Sequence, residues 1–250
     1  MNPHLSKTLD FLEDILPASP ETMAEACASH AWGCSFRTET AGSYTFCTLS
    51  FPWLSEDGQR IDAETLEGGH AVHLNIVFAY DDSMKLCADL SAYTFPCREL
   101  YNADVQDHFE QESDWLFWET EILRSLYDEE IRQNHSGIIC IYGSAYTTKA
   151  VRRRGLFRSC SEQLEQFLSD KYGSITIYTA MSLDPDVACY GEDKTDRPYI
   201  YSMRDEPARL LNAEIVRRLG FTPLRLETSE PVEDGSLLWF ACRKTVYQMI

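Results

Sequence analysis

Ser136-Gly137-Ile138-Ile139-Cys140-Ile141-Tyr142-Gly143-Ser144-Ala145-Tyr146-Thr147-Thr148-Lys149-Ala150-Val151-Arg152-Arg153-Arg154-Gly155-Leu156-Phe157-Arg158 is the stretch that decides the fold. Gly137 to Thr147 is short, apolar and aromatic, and reads as a strand. Gly155 opens a helix running to Tyr172, with Leu156, Cys160, Leu164, Phe167 and Leu168 at helical spacing. Between Ser136 and Cys160 stand five bases (Lys149, Arg152, Arg153, Arg154, Arg158) and no acid, in a chain of net charge −18. This basic patch lies where a strand ends and a helix begins. A helix N-terminus offers unpaired N–H groups and the positive end of a dipole, and Gly155 lets a ligand approach the main chain. An anion-binding turn, suited to a diphosphate, is the physical reading. Neither a GxxxxGK[ST] loop nor a GxGxxG turn occurs, so the two commonest phosphate sites are excluded.

Downstream, the order is strand Ser174–Met181, helix Pro207–Leu219 ended by Gly220, then strands Phe221–Glu227 and Leu237–Thr245 flanking the turn Glu233-Asp234-Gly235. Upstream, Leu5–Leu16 has helical spacing, and Ser19-Pro20-Glu21 offers an N-cap for a second helix ending near Ser29. Ser43–Phe51, His70–Tyr80 and Met84–Leu90 read as strands, the last two joined near Asp81-Asp82-Ser83. Asp107–Gln133 carries a wide apolar stripe opposite crowded acids and reads as one long amphipathic helix. No repeat, low-complexity tract or linker divides the chain. A single α/β domain spanning 1–250 is expected, with a divergent half at 1–134 and a ligand-binding half at 135–250.

The chain has 250 residues, 44% of them hydrophobic and 25% charged, enough for a core and unlike disordered or fibrous sequences. Forty acids against 22 bases argue against nucleic acid as a partner. Nine cysteines, an odd number without a CxxC pair, sit partly inside apolar runs, as expected of reduced thiols in a cytoplasmic protein. Met1–Pro17 lacks the apolar core of a signal peptide, and no run approaches the ~20 apolar residues of a membrane span. His70 and His73 fall on opposite faces of a strand, and His30 with Cys27 and Cys34 lacks a fourth ligand, so no metal is expected.

Arg152-Arg153-Arg154-Gly155-Leu156-Phe157 resembles the Q/R-x-x-G-x-G/A loop of the GNAT superfamily of N-acetyltransferases, and Asn212–Phe221 resembles that family's later helix, which ends in Gly-Phe. The likeness runs from Gly137 to Thr245. It implies a mixed, mostly antiparallel central sheet flanked by helices, here with an extended N-terminal half. It also implies acetyl-CoA as co-substrate, its pyrophosphate held by Arg152, Arg153, Arg154, Gly155, Leu156, Phe157 and Arg158, with Thr147, Thr148 and Asn212 as further contacts. Backbone N–H groups near Tyr146-Thr147 would meet the thioester carbonyl on a splayed strand. Tyr142 and Tyr146 are then the candidates for orienting the substrate or donating a proton.

Three departures stand out: Phe157 replaces a small residue, Val216 stands where many members carry a tyrosine, and Asn212 falls about one turn late. The strand carries no carboxylate, so a general base has to come from elsewhere or from water. Asp184, Asp186, Glu192, Asp193 and Asp196 lie in an acidic insertion, which suits a cationic amine acceptor. The implied function is direct acyl transfer to an amine. A non-catalytic CoA-binding or regulatory protein, or an acidic interaction protein, are the other readings.

Overall fold

The computed structural model describes residues 19–29, 35–52, 72–112, 114–151, 154–183, 213–226 and 238–248. The expected helix Leu5–Leu16, the acidic insertion, the first six residues of the expected helix Pro207–Leu219 and the turn at Glu233 lie outside them. The strands are β1 (Ser35–Ala41), β2 (Tyr44–Pro52), β3 (His73–Asp81), β4 (Leu86–Pro96), β5 (Ile138–Thr147), β6 (Ile175–Ser182), β7 (Thr222–Leu226) and β8 (Leu238–Tyr247). They form one sheet in the order β1-β2-β3-β4-β5-β6-β8-β7. Every pair is antiparallel except β5 and β6, which run parallel. The mixed, mostly antiparallel sheet is therefore present, and its one parallel pair is the pair joined by the helix after the arginine turn.

Local chemistry explains the connections. Gly42, at φ +64°, turns β1 into β2. Between β3 and β4, the Asp81 carboxylate accepts hydrogen bonds from Ser83 N, Ser83 Oγ and Lys85 N. The Ser83 hydroxyl, with those amides, holds that carboxyl below the usual range. Helix α1 (Pro20–Ser29) is capped by Ser19, whose hydroxyl accepts from Thr22 N at 3.3 Å.

The expected single helix Asp107–Gln133 is in fact two, α2 (Ala103–Glu112) and α3 (Asp114–Gln133), with a kink at Tyr127. Splitting lets Val105 and Phe109 of α2 join Leu116, Ile122 and Leu123 of α3 in one buried cluster, which a straight rod could not arrange. A buried hydrogen bond from Thr120 Oγ1 to Gln106 Oε1, 3.0 Å, ties the pair. The edge strand β1, which the sequence pattern does not announce, is mostly exposed and carries no apolar alternation. Arg37 on it pairs with Glu39 at 2.8 Å and with Asp170.

Side-chain alternation divides the sheet into two faces. Ile138, Cys140 and Tyr142 of β5 pack with helix α4 (Leu156–Tyr172) and with Ala213 and Val216 from the helical residues 213–217. Ile139 and Ile141 face α2 and α3. On that same second face α1 covers the other end, where Met23 meets Cys47, Leu49, Ile76, Phe78 and Tyr80. Cys47, Cys87, Cys97, Cys140, Cys160 and Cys242 are buried free thiols. Burial pushes Cys47 up to about 11 and Cys97 up to about 12, well away from reactive thiolates.

Candidate functional site

Strands β5 and β6 pair from Ile138↔Ile177 to Tyr142↔Met181 and no further. From Gly143 onward β5 is paired, among the described residues, with β4 alone, through Ser91↔Ser144, Leu90↔Ala145, Asp89↔Tyr146 and Ala88↔Thr147. The register shifts at Ser91/Ala92, so Gly143 is the extra residue of a bulge. The site is tight: a Cβ would stand 3.1 Å from Ser91 Oγ and 3.2 Å from Tyr93 Cε2, so either side chain would have to give by a few tenths of an ångström. The bulge re-aims residues 143–147 just where the parallel partner ends. Residues 143–147 thus run on past the last pair with β6, with a row of main-chain groups along the edge that β6 does not pair.

The arginine turn follows β5 directly in the chain. Thr148 N donates to Cys87 O at 2.8 Å, which fastens the chain to β4 as it leaves β5. Gly155 then caps α4 at φ +80°, ψ +11°, with no atom within 4 Å of where a Cβ would sit. The left-handed backbone, not crowding, demands glycine here. Leu156 is buried beneath the helix start, while Arg154 and Arg158 are exposed beside it. Arg158 Nε pairs with Glu162 at 2.7 Å. Arg152, Arg153 and Asn212 lie outside the described residues, as do the side chains of Tyr146 and Lys149. The Phe157 ring is half-buried and turned inward, 6.1 Å from the Tyr142 ring in an edge-on contact. That rotation takes the large side chain away from the exposed N–H groups.

The family resemblance puts Tyr142 at the reaction centre; it lies instead under α4, 4% exposed. Its hydroxyl shares a 2.7 Å hydrogen bond with Ser161 Oγ, and burial holds it well above the usual tyrosine range. Ser161 also accepts from Arg243 Nη2 at 2.9 Å, and Arg243 Nη1 donates to Leu219 O at 2.9 Å. Arg243 forms a salt bridge with Glu165, whose other oxygen accepts from Tyr247 Oη at 2.7 Å. The guanidinium also lies 4.4 Å from the Phe221 ring centre. This network ties β5, α4, the end of the 213–217 helix and β8 into one block. Val216 is buried in the adjoining cluster and offers no proton.

The opposite face of the sheet is different. Asp89 and Ser91 lie on that face of β4, in register with Phe78 and Ile76 of the cluster under α1 on one side and with Tyr146 and Ser144 of β5 on the other. Asp89 is half-buried, and among the described residues its carboxyl has no hydrogen-bond or ion-pair partner. Burial alone pushes it up to about 6. At the far side, Glu119 of α3 is 2% exposed and accepts Ser182 N at 2.6 Å, just past the last β5–β6 pair. Burial raises its carboxyl well above the usual range despite that hydrogen bond. Neither acid is singled out by the sequence pattern. Asp89 stands where a strand's solvent-facing residue would, and Glu119 among the acids of an amphipathic helix. The available signal is Cys87-Ala88-Asp89-Leu90, an acid inside an apolar strand.

No protein-family model matches the chain, and no curated protein matches it. Solved structures similar to it include an agmatine N-acetyltransferase at 12% identity and TM-score 0.39, covering 68% of this chain and 74% of that one. A Drosophila melanogaster polyamine N-acetyltransferase overlaps at 12% identity and TM-score 0.37, covering 67% and 73%. Arabidopsis thaliana NAA60, in complex with acetyl-CoA, overlaps at 12% identity and TM-score 0.37, covering 80% and 98%. These overlaps are loose.

Proposed function

We propose that the protein is an N-acyltransferase of the GNAT kind, moving an acetyl or other acyl group directly from acyl-CoA to an amine. The observation that carries this reading is the single parallel pair, which ends at Tyr142↔Met181 while β5 runs on to Thr147 and leads to the N-terminus of α4. Arg154, Gly155, Leu156, Phe157 and Arg158, joined in sequence by Arg152 and Arg153, offer N–H groups and positive charge for a pyrophosphate. Thr147 and Thr148 lead from strand to turn, and Asn212 belongs to the same proposed contact set. Residues 143–147 offer main-chain groups to the pantetheine arm, with an N–H near Tyr146 for the thioester carbonyl. Tyr146 remains a candidate proton donor. Tyr142 holds α4 in place through Ser161.

The acidic insertion carrying Asp184, Asp186, Glu192, Asp193 and Asp196 suits a cationic acceptor, and the burial of free thiols suits a cytoplasmic setting. No helix among the described residues is long and apolar enough to cross a membrane. A second reading, CoA binding without turnover, is favoured by Val216 in place of a tyrosine. Calorimetry with acetyl-CoA, followed by thiol release with an amine panel, separates the two. Binding with amine-dependent thiol release is the expected result; binding without release would select the second reading.

A further inference from the structure

The two faces of the sheet around β5 have different access. Helix α4 and its exposed N-terminus occupy one, so an acyl-CoA held there, as the acyltransferase reading on which this step rests requires, leaves the other face for the acceptor. On the acceptor face Asp89 stands in register between Phe78 of β3 and Tyr146 of β5, beside the part of β5 that runs past its last pair with β6. Its carboxyl has no partner among the described residues, although the rest of the strand around it is packed.

We infer that Asp89 is the general base that takes the proton from the acceptor amine. An amine arrives as an ammonium ion, whose nitrogen has no free electron pair. Asp89 accepts one proton, and the freed pair bonds to the carbonyl carbon of the acyl thioester. The carbon–sulfur bond breaks, sulfur leaves with its electron pair and takes a second proton from nitrogen. The products are an amide and a thiol, and Asp89 passes its proton to water.

A carboxyl titrating at about 6 is ionised at neutral pH yet basic enough to share a proton. Its titratable neighbours are Tyr80 on β3, Tyr146 across the strand and Cys160 of α4 through the sheet. Burial pushes Tyr80 above its usual range and Cys160 up to about 12, so neither titrates near 6.

The test compares wild type, Asp89→Asn and Asp89→Glu, with acetyl-CoA and a panel of 1,4-diaminobutane, spermidine, lysine methyl ester and phenethylamine. Asp89→Asn should bind acetyl-CoA with unchanged affinity and lose about 100-fold or more in kcat at pH 7. Wild-type kcat/KM should bend near pH 6, and the Asp89→Asn profile should instead climb steadily toward the amine's own pKa. Asp89→Glu should recover part of the rate. Equal kcat in wild type and Asp89→Asn overturns the assignment and leaves the acyltransferase reading standing. Wild type that binds acetyl-CoA but acylates none of the panel overturns the base and selects non-catalytic binding. Failure of wild type to bind acetyl-CoA overturns both.

Discussion

The two faces of the sheet around β5 treat their buried acids in opposite ways. Under α4, Tyr142, Ser161, Arg243, Glu165 and Tyr247 partner one another in one network, although Ser50 Oγ, Asn75 Oδ1, Thr179 Oγ1 and Arg243 Nε on that face are buried without a partner among the described residues. Across the sheet, Asp89 is held half-buried with no partner among them and Glu119 with a single amide. A satisfied network fixes structure, whereas an unsatisfied acid stores a proton affinity that the fold does not use. One face therefore reads as the support of a binding helix and the other as a place where chemistry is done.

The largest expected effect tests the support. Arg243→Met would strand Glu165, 4% exposed, with only Tyr247 for company. Breaking a buried ion pair on one side costs about 3–5 kcal/mol, so urea unfolding should show a loss of that size. Because Arg243 also holds Leu219 O and Ser161, acetyl-CoA affinity should fall as well. A loss below about 1 kcal/mol, within the range of exposed pairs, would mean the network is incidental.

The acceptor face should respond in the opposite direction. The folded-state pKa of Asp89 lies at about 6, above the ordinary 3.8. The folded state thus binds its proton more tightly than the unfolded chain does. That contribution is fully present below pH 3.8 and is lost as pH rises through about 6. At pH 8 the ionised acid is a liability of up to about 2–3 kcal/mol. Asp89→Asn should therefore raise Tm at about pH 8 and lose that advantage below about pH 4. A variant less stable than wild type at the higher pH would show that the carboxylate has a stabilising partner, and the contrast between the faces would fail.

Much of this arrangement is legible in the sequence alone. The run Ile138–Ile141 and the helical spacing of Leu156, Cys160, Leu164 and Leu168 give the strand and helix outright, and Gly155 marks their junction. Burial of Phe157 and Tyr142 is not legible, because the face that α4 covers depends on how the chain crosses back over the sheet. β1 is invisible for a different reason: an exposed edge strand pairs through its backbone and needs no apolar pattern. Asp89 and Glu119 are missed because burial in the folded molecule, not spacing in the sequence, sets their environment, as Ser182 does for Glu119 from 63 residues away. Pattern reports what a residue is beside in sequence, and a catalytic environment is made by what folds over it.

Next in size is the turn itself. Gly155 sits at φ +80° with open space around its missing side chain, so any penalty comes from the backbone alone. A left-handed non-glycine residue costs about 1–2 kcal/mol, more for a β-branched one. Gly155→Val should shift the helix start and weaken acetyl-CoA roughly ten-fold or more, with Gly155→Ala intermediate. Calorimetry on both, with folding checked by circular dichroism, reads the difference. Unchanged affinity in a folded Gly155→Val would reduce the turn to a connector.

The smallest effect separates two arginines on the same turn. Arg158 is already engaged by Glu162 at 2.7 Å, one helical turn away. Arg154 is exposed and, among the described residues, makes no ion pair, so its charge is available to an arriving phosphate. A charge-assisted hydrogen bond to a partly hydrated phosphate contributes about 1–2 kcal/mol. Arg154→Ala should lose that amount in acetyl-CoA affinity, and Arg158→Ala less than about 1 kcal/mol, because Glu162 must first be displaced. Both losses should shrink between low and moderate salt, since exposed charges are screened beyond ~10 Å at about 0.1 M. Glu162→Gln should then free Arg158 and tighten binding slightly. If instead Arg158→Ala proves the costlier change, the phosphates lie along the first turn of α4, past the cap, and the edge of β5 is approached from a different angle than Gly155 suggests.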